Sequence, residues 1–229
     1  MARPRGAKTR AEVVRERLAL EYPEAECALF HDDAFQLLVA TILSAQTTDE
    51  NVNKVTPALF AAYPSPADLA HANPDDVERL VFQTGFYRSK TKNLLGMARM
   101  LEEEFDGEVP TELDDLVRLP GVGRKTGNVV RSVAFDLPGL PVDTHVGRLS
   151  RRLKLTTEDD PVKVEADLCA LLPRTAWGDF SLRLILHGRR VCDAKSPRCA
   201  VCVVEDLCPS SLLPRRRVKM STERNRVVT

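Results

Sequence analysis

Apolar positions along the chain recur at three- and four-residue spacing and almost nowhere alternate, a pattern that predicts an all-α protein. Val13, Val14, Leu18 and Leu20 give residues 11–22 one apolar side, after a polar, basic start expected to be frayed. Asp33 and Gln36 read as a capping pair in front of Phe35, Leu38, Val39, Ile42 and Leu43, whose spacing predicts a strongly buried helix. The pattern breaks at Ser44-Ala45-Gln46-Thr47-Thr48-Asp49, which leaves Gln46 in a helix-to-helix turn, with Thr47 and Glu50 as the next capping box and Pro57 as a kink. Ser65-Pro66 and Asn73-Pro74 each predict a short helix. Leu94, Ala98 and Leu101 line one face of a segment from 88 to 105 that Gly107 closes. A helix with Thr111 as its cap is expected over 111–118. Further helices are expected from 144 to 153 behind Asp143, from Pro161 to 172, and from 177 to 187, stopping at Gly188.

One stretch organises the rest. Leu119-Pro120-Gly121-Val122-Gly123-Arg124-Lys125-Thr126 is a glycine hairpin that runs directly into an apolar helix. Glycines two apart let backbone N–H groups converge on an anion, and the helix that follows adds its own unpaired amides. A Walker A loop needs glycine where Arg118 and Arg124 stand, and a dinucleotide fingerprint needs one where Thr126 stands, so neither nucleotide motif fits. The unit reads as helix, hairpin, helix.

Composition narrows the field. In 229 residues, 33 Lys and Arg balance 33 Asp and Glu, so no global field draws the chain to nucleic acid. Basic residues do cluster locally, at Arg3, Arg5, Lys8 and Arg10, at Arg148, Arg151, Arg152 and Lys154, and at Arg215, Arg216, Arg217 and Lys219. No run reaches the length of a membrane span, and the first residues lack the apolar core of a signal peptide, so a soluble, cytoplasmic protein without a membrane partner is expected.

Four of the six cysteines, Cys192, Cys199, Cys202 and Cys208, form a C-x6-C-x2-C-x5-C array. With no export signal, thiolate ligation of a metal is a better reading than disulfides. Zinc and an iron–sulfur cluster compete, and the departure from paired C-x2-C knuckles tilts the reading toward [4Fe–4S]. Lys195 and Arg198 lie in the first loop between ligands, where they either contact a DNA backbone or offset the charge of the thiolates. Lys125 stands at a helix start, where the dipole opposes its charge; it is either a phosphate contact or an amine kept neutral to attack carbon. Asp143 is a good helix cap and also a candidate catalytic carboxylate.

The glycine hairpin with Lys125, the segment Val142-Asp143-Thr144-His145 and the cysteine array, in that order, resemble the endonuclease III family of helix-hairpin-helix DNA glycosylases and AP lyases from about residue 11 to 209. The resemblance implies a six-helix barrel over 27–137 and a [4Fe–4S] domain made of 1–26 and 138–215, with the DNA cleft between them and a basic tail over 216–229. It implies a monomer acting on damaged double-stranded DNA in base excision repair, with Lys125 as nucleophile and Asp143 as its partner. Gly121 and Gly123 would grip the backbone, Gln46 would fill the gap left by a flipped base, and Phe86 would wedge the stack. Phe86 departs from the leucine of the best-studied members. The rivals are a monofunctional, adenine-type glycosylase, whose relatives generally lack the lysine, and a non-catalytic iron–sulfur DNA-binding module.

Overall fold

The computed structural model describes residues 4–214, and among them there is no β-strand. Eleven α-helices follow one another: α1 (Ala7–Glu21), α2 (Ala34–Leu43), α3 (Asp49–Ala62), α4 (Pro66–Ala70), α5 (Pro74–Val81), α6 (Tyr87–Glu104), α7 (Leu113–Leu116), α8 (Arg124–Ala134), α9 (Thr144–Arg152), α10 (Pro161–Leu171) and α11 (Trp177–Arg190). The basic tail expected over 216–229, with Arg215, Arg216, Arg217 and Lys219, lies outside the described residues, as does Arg3.

Local chemistry sets most of the helix starts. Asp33 accepts the Gln36 amide, Asn73 accepts the Asp75 amide, and Ser65 and Asp68 close a reciprocal capping box. Other boundaries differ from the pattern-based expectation. Helix α1 begins at Ala7, because Ala7 and Ala11 pack into the same core as Val14 and Leu18, so burial extends the helix into the polar start. Thr48 rather than Thr47 caps α3 and accepts the Asn51 amide. Thr111 caps nothing, and α7 is a single turn behind Glu112. Gly188 does not end α11: it lies within the helix because a Cβ there would meet the His145 ring at 2.8 Å, so the glycine marks a close approach rather than a stop.

Buried apolar side chains form two clusters. One gathers α2 to α7 and the second half of α8, with Leu37, Leu38, Leu43, Leu59, Leu94 and Leu101 at its centre. The other joins α1 to α9, α10 and α11 through Leu18, Leu149, Leu168, Phe180 and Leu184. Helix α8 packs on α2 and α11, so it stands where the two clusters meet. This position brings the hairpin helix beside α9 and α10.

Candidate active site

The hairpin before α8 is held by its own packing. Leu119 and Val122 are buried, and the Val122 amide donates to the Leu119 carbonyl at 3.0 Å. Gly121 has φ +79°, and a Cβ there would lie 2.8 Å from Cβ of Asn93 on α6; both the dihedral and the space require glycine. Gly123 differs. Its φ of −91° suits any residue, and a Cβ there would meet nothing within 4 Å, so the protein's own packing makes no demand for glycine. Gly123 is the N-cap of α8 without a side-chain cap, whereas a side chain caps α2, α3, α4, α5, α9 and α10.

Lys125 emerges exposed in the first turn of α8 and shares one open cleft with Asp143, His145, Arg151 and Asp159. Asp143 caps α9: its backbone is extended, and its Oδ1 accepts the Val146 amide at 2.8 Å. Ser181 donates to the Pro141 carbonyl at 2.5 Å and anchors the segment leading into that cap. The carboxylate is therefore held by the first turn of α9, on a segment anchored through Ser181. Arg151 pairs with Asp159 at 3.2 Å along the same cleft. Burial pushes the Cys27 thiol up, and a hydrogen bond with the Leu29 backbone opposes it.

Next to Lys125, Arg124 makes two hydrogen bonds of 2.8 Å to the carboxylate of Glu165 on α10. That fork clamps the start of α8 to the second cluster. A second tie across the clusters joins Arg189 on α11 to Asp49 on α3 at 2.9 Å, just past the Gln46 turn.

Gln46 and Phe86 are both exposed and both left-handed, with φ of 56° and 46°. A non-glycine residue there carries strain of about 1 kcal/mol or more, so neighbouring structure must impose it. Behind Phe86, the amine of Lys90 is buried and donates to the Thr84 carbonyl at 2.7 Å; desolvation lowers its pKa from the usual 10.5. Neither Gln46 nor Phe86 lines the cleft of Lys125 and Asp143.

The four array cysteines, none in a disulfide, line a hollow with Arg152 and Arg198. Desolvation pushes the Cys202 thiol up to about 11, and the other three sulfurs add to the effect. Among the described residues no three His, Cys, Asp or Glu side chains converge as ligands of a single ion. Arg152 donates to Cys192 Sγ at 3.1 Å and to the carbonyls of Asp193 and Ala194 at 2.7 Å each. Lys195 and Arg198 are exposed, and Arg198 turns back onto the Arg190 carbonyl. Cys27 and Cys169 pack, partly buried, against the two apolar clusters. No helix among the described residues is long and apolar enough to cross a membrane.

Sequence reasoning missed the Arg124–Glu165 fork, the buried Lys90 and a role for His187. Of these only His187 carried a signal, as an imidazole following Leu184-Ile185-Leu186 and five residues ahead of Cys192. Arg124 and Glu165 lie forty-one positions apart, and burial of Lys90 against the Thr84 carbonyl follows from packing rather than from any local pattern.

Residues 39–174 match the model of the HhH-GPD superfamily base excision DNA repair protein. The endonuclease III of Synechocystis sp. is 52% identical over 205 residues, covering 89% of this chain and 94% of that protein. A non-covalent endonuclease III–DNA complex superposes with a TM-score of 0.84 at 41% identity, over 89% of this chain and 95% of the other. A trapped covalent endonuclease III–DNA intermediate, an estranged-adenine complex, gives the same TM-score and identity, over 89% and 96%.

Proposed function

The chain belongs to the HhH-GPD superfamily of base excision DNA repair proteins, and on that footing we propose that it is a bifunctional DNA glycosylase and AP lyase. It would act as a cytoplasmic monomer, removing damaged bases, oxidised pyrimidines foremost, from duplex DNA. The observation that carries this reading is the shared cleft of Lys125, at the start of the hairpin helix, and Asp143, held as the cap of α9.

The chemistry follows from that placement. The uncapped amides around Gly121 and Gly123 take a DNA phosphate, and the open space beside Gly123 lets the backbone approach it. The damaged nucleotide leaves the stack, with Gln46 entering the gap and Phe86 wedging the opposite strand, each presented by its left-handed backbone. The amine of Lys125, exposed in the first turn of α8, attacks the sugar C1′ in its neutral form as the bond to the base breaks. The Asp143 carboxylate stabilises the positive charge that develops on the sugar. Loss of a proton from C2′ of the resulting Schiff base expels the 3′ phosphate by β-elimination, and hydrolysis releases Lys125.

The four cysteines fit a [4Fe–4S] cluster: four thiols, none in a disulfide, all lining one hollow. Cys192, Cys199, Cys202 and Cys208 would hold it, and its role is to fold the 192–208 segment. The exposed Lys195 would then face the DNA backbone, and Arg198 would reach it by leaving the Arg190 carbonyl. The two apolar clusters support a barrel unit over 27–137 and a cluster-bearing unit of 1–26 with 138–215, the Lys125 cleft lying between them.

Borohydride trapping on a duplex carrying an oxidised pyrimidine tests the assignment. A covalent adduct forms with the native enzyme and is lost in Lys125→Ala. An adduct retained in that variant, or none with the native enzyme on any damaged or abasic duplex, overturns it.

A further inference from the structure

His187 on α11 is 2% exposed and touches the cysteine centre twice. Its carbonyl accepts the Cys192 amide at 2.8 Å, and its ring Nε2 lies 3.3 Å from Cys202 Sγ. The other ring nitrogen, Nδ1, lies 3.0 Å from the hydroxyl of Tyr22, itself only 6% exposed. Tyr22 is the C-cap of α1, and Arg183 donates to its carbonyl at 3.2 Å, so the N-terminal helix delivers this hydroxyl to the ring from a fixed position.

Donor and acceptor counting assigns the protons. A ligating thiolate can only accept, so Nε2 must carry the hydrogen that faces Cys202. That leaves Nδ1 as an acceptor, and the Tyr22 hydroxyl is the donor that meets it. We propose that Tyr22 and His187 form a buried outer relay, Tyr22 O–H to Nδ1 and Nε2–H to Cys202 Sγ, which draws electron density from one cluster sulfur and sets the cluster's reduction potential and retention. The proposal rests on the [4Fe–4S] reading above. Its physical basis is general: hydrogen bonds to ligating sulfurs stabilise the more negative, reduced cluster and raise its potential, and outer partners that orient ligands govern how firmly a metal centre is held. His187 and Tyr22 are positioning residues in this scheme, and neither lines the Lys125 cleft.

The experiment compares the purified full-length protein with Tyr22→Phe, His187→Leu and the double variant. Iron and sulfide content of the native protein tests the premise separately, and their absence overturns the cluster reading and the relay with it. With the cluster present, 15N-histidine spectra show the Nε2–H tautomer at His187. The reduction potential falls in Tyr22→Phe and falls further in His187→Leu, and the double variant matches His187→Leu because the hydroxyl acts only through the ring. Cluster bleaching by a chelator accelerates about tenfold in His187→Leu, the lower end for lost outer partners. Should His187→Leu fail to fold, Tyr22→Phe decides alone, since it removes one oxygen and keeps the ring packing. An Nδ1–H tautomer, or an unchanged potential in Tyr22→Phe with full iron content, overturns the relay.

Discussion

Gly121 and Gly123 lie two residues apart with different roles, and substituting each by alanine separates folding from DNA grip. Gly121→Ala places an L-residue at φ +79°, which costs about 1–2 kcal/mol. It also sets a Cβ 2.8 Å from Cβ of Asn93, well inside the ordinary carbon contact distance, and overpacking of that kind costs about 1–3 kcal/mol. The sum is about 3 kcal/mol, or roughly 6–12 °C in Tm for a chain of this size. Gly123→Ala meets neither obstacle, since φ is −91° and nothing lies within 4 Å. Alanine loses some of the N-cap preference for glycine but reduces the freedom of the unfolded chain, and these offset to within about 0.5 kcal/mol. Chemical denaturation of both variants, with titration of an abasic-analogue duplex at several salt concentrations, reads the two effects. Gly123→Ala keeps native stability and loses DNA affinity, because its methyl occupies the space through which a phosphate approaches. Native affinity in Gly123→Ala refutes the backbone grip. Equal stability of the two variants refutes the account of why Gly121 is glycine.

Three further outcomes follow from the geometry. Phe86→Asn gains about 1 kcal/mol in thermal unfolding, because asparagine tolerates the left-handed backbone, while binding to damaged duplex weakens with loss of the wedge. Glu165→Ala leaves Arg124 without its fork and costs about 1–2 kcal/mol in denaturation, a range reduced for the half-exposed guanidinium; Arg124→Lys recovers little of the native value, since an ammonium cannot reproduce two parallel bonds. Burial lowers the Lys90 pKa below 10.5, so between the folded and unfolded values the unfolded chain binds more protons and this site adds stability as pH rises. Denaturation at pH 8 and pH 10 shows that upward contribution in the native protein and its disappearance in Lys90→Met.

Much of the architecture was legible because helix boundaries are local events. Asp33, Ser65, Asn73 and Asp143 announce their helices through side chains that bond amides two or three residues on. The errors arose where a distant partner overruled local chemistry. Gly188 looked like a stop and is a contact with His145, forty-three positions earlier. Residues 7–10 looked frayed and are helical because Ala7, with Ala11 beyond them, is buried in the cluster of α9, α10 and α11. Thr111 caps nothing, and α7 is a single turn whose Leu113 lies so close to Gly127 that a Cβ there would come within 2.7 Å of it.

From the sequence alone came the helical class, the hairpin, the lysine at the start of its helix, the aspartate cap and the spacing of four cysteines. Each depends on residues within about one turn or loop of one another, so the order of residues along the chain suffices to state it. Only the tertiary structure decided that Lys125 and Asp143 share a cleft, that Arg124 locks onto Glu165, that the backbone at Gln46 and Phe86 is left-handed, and that Tyr22 reaches Cys202 through His187. Those pairings join segments up to 165 residues apart. They arise when two apolar clusters close around α8, and burial of nonpolar surface carries no record of which polar groups it will bring face to face.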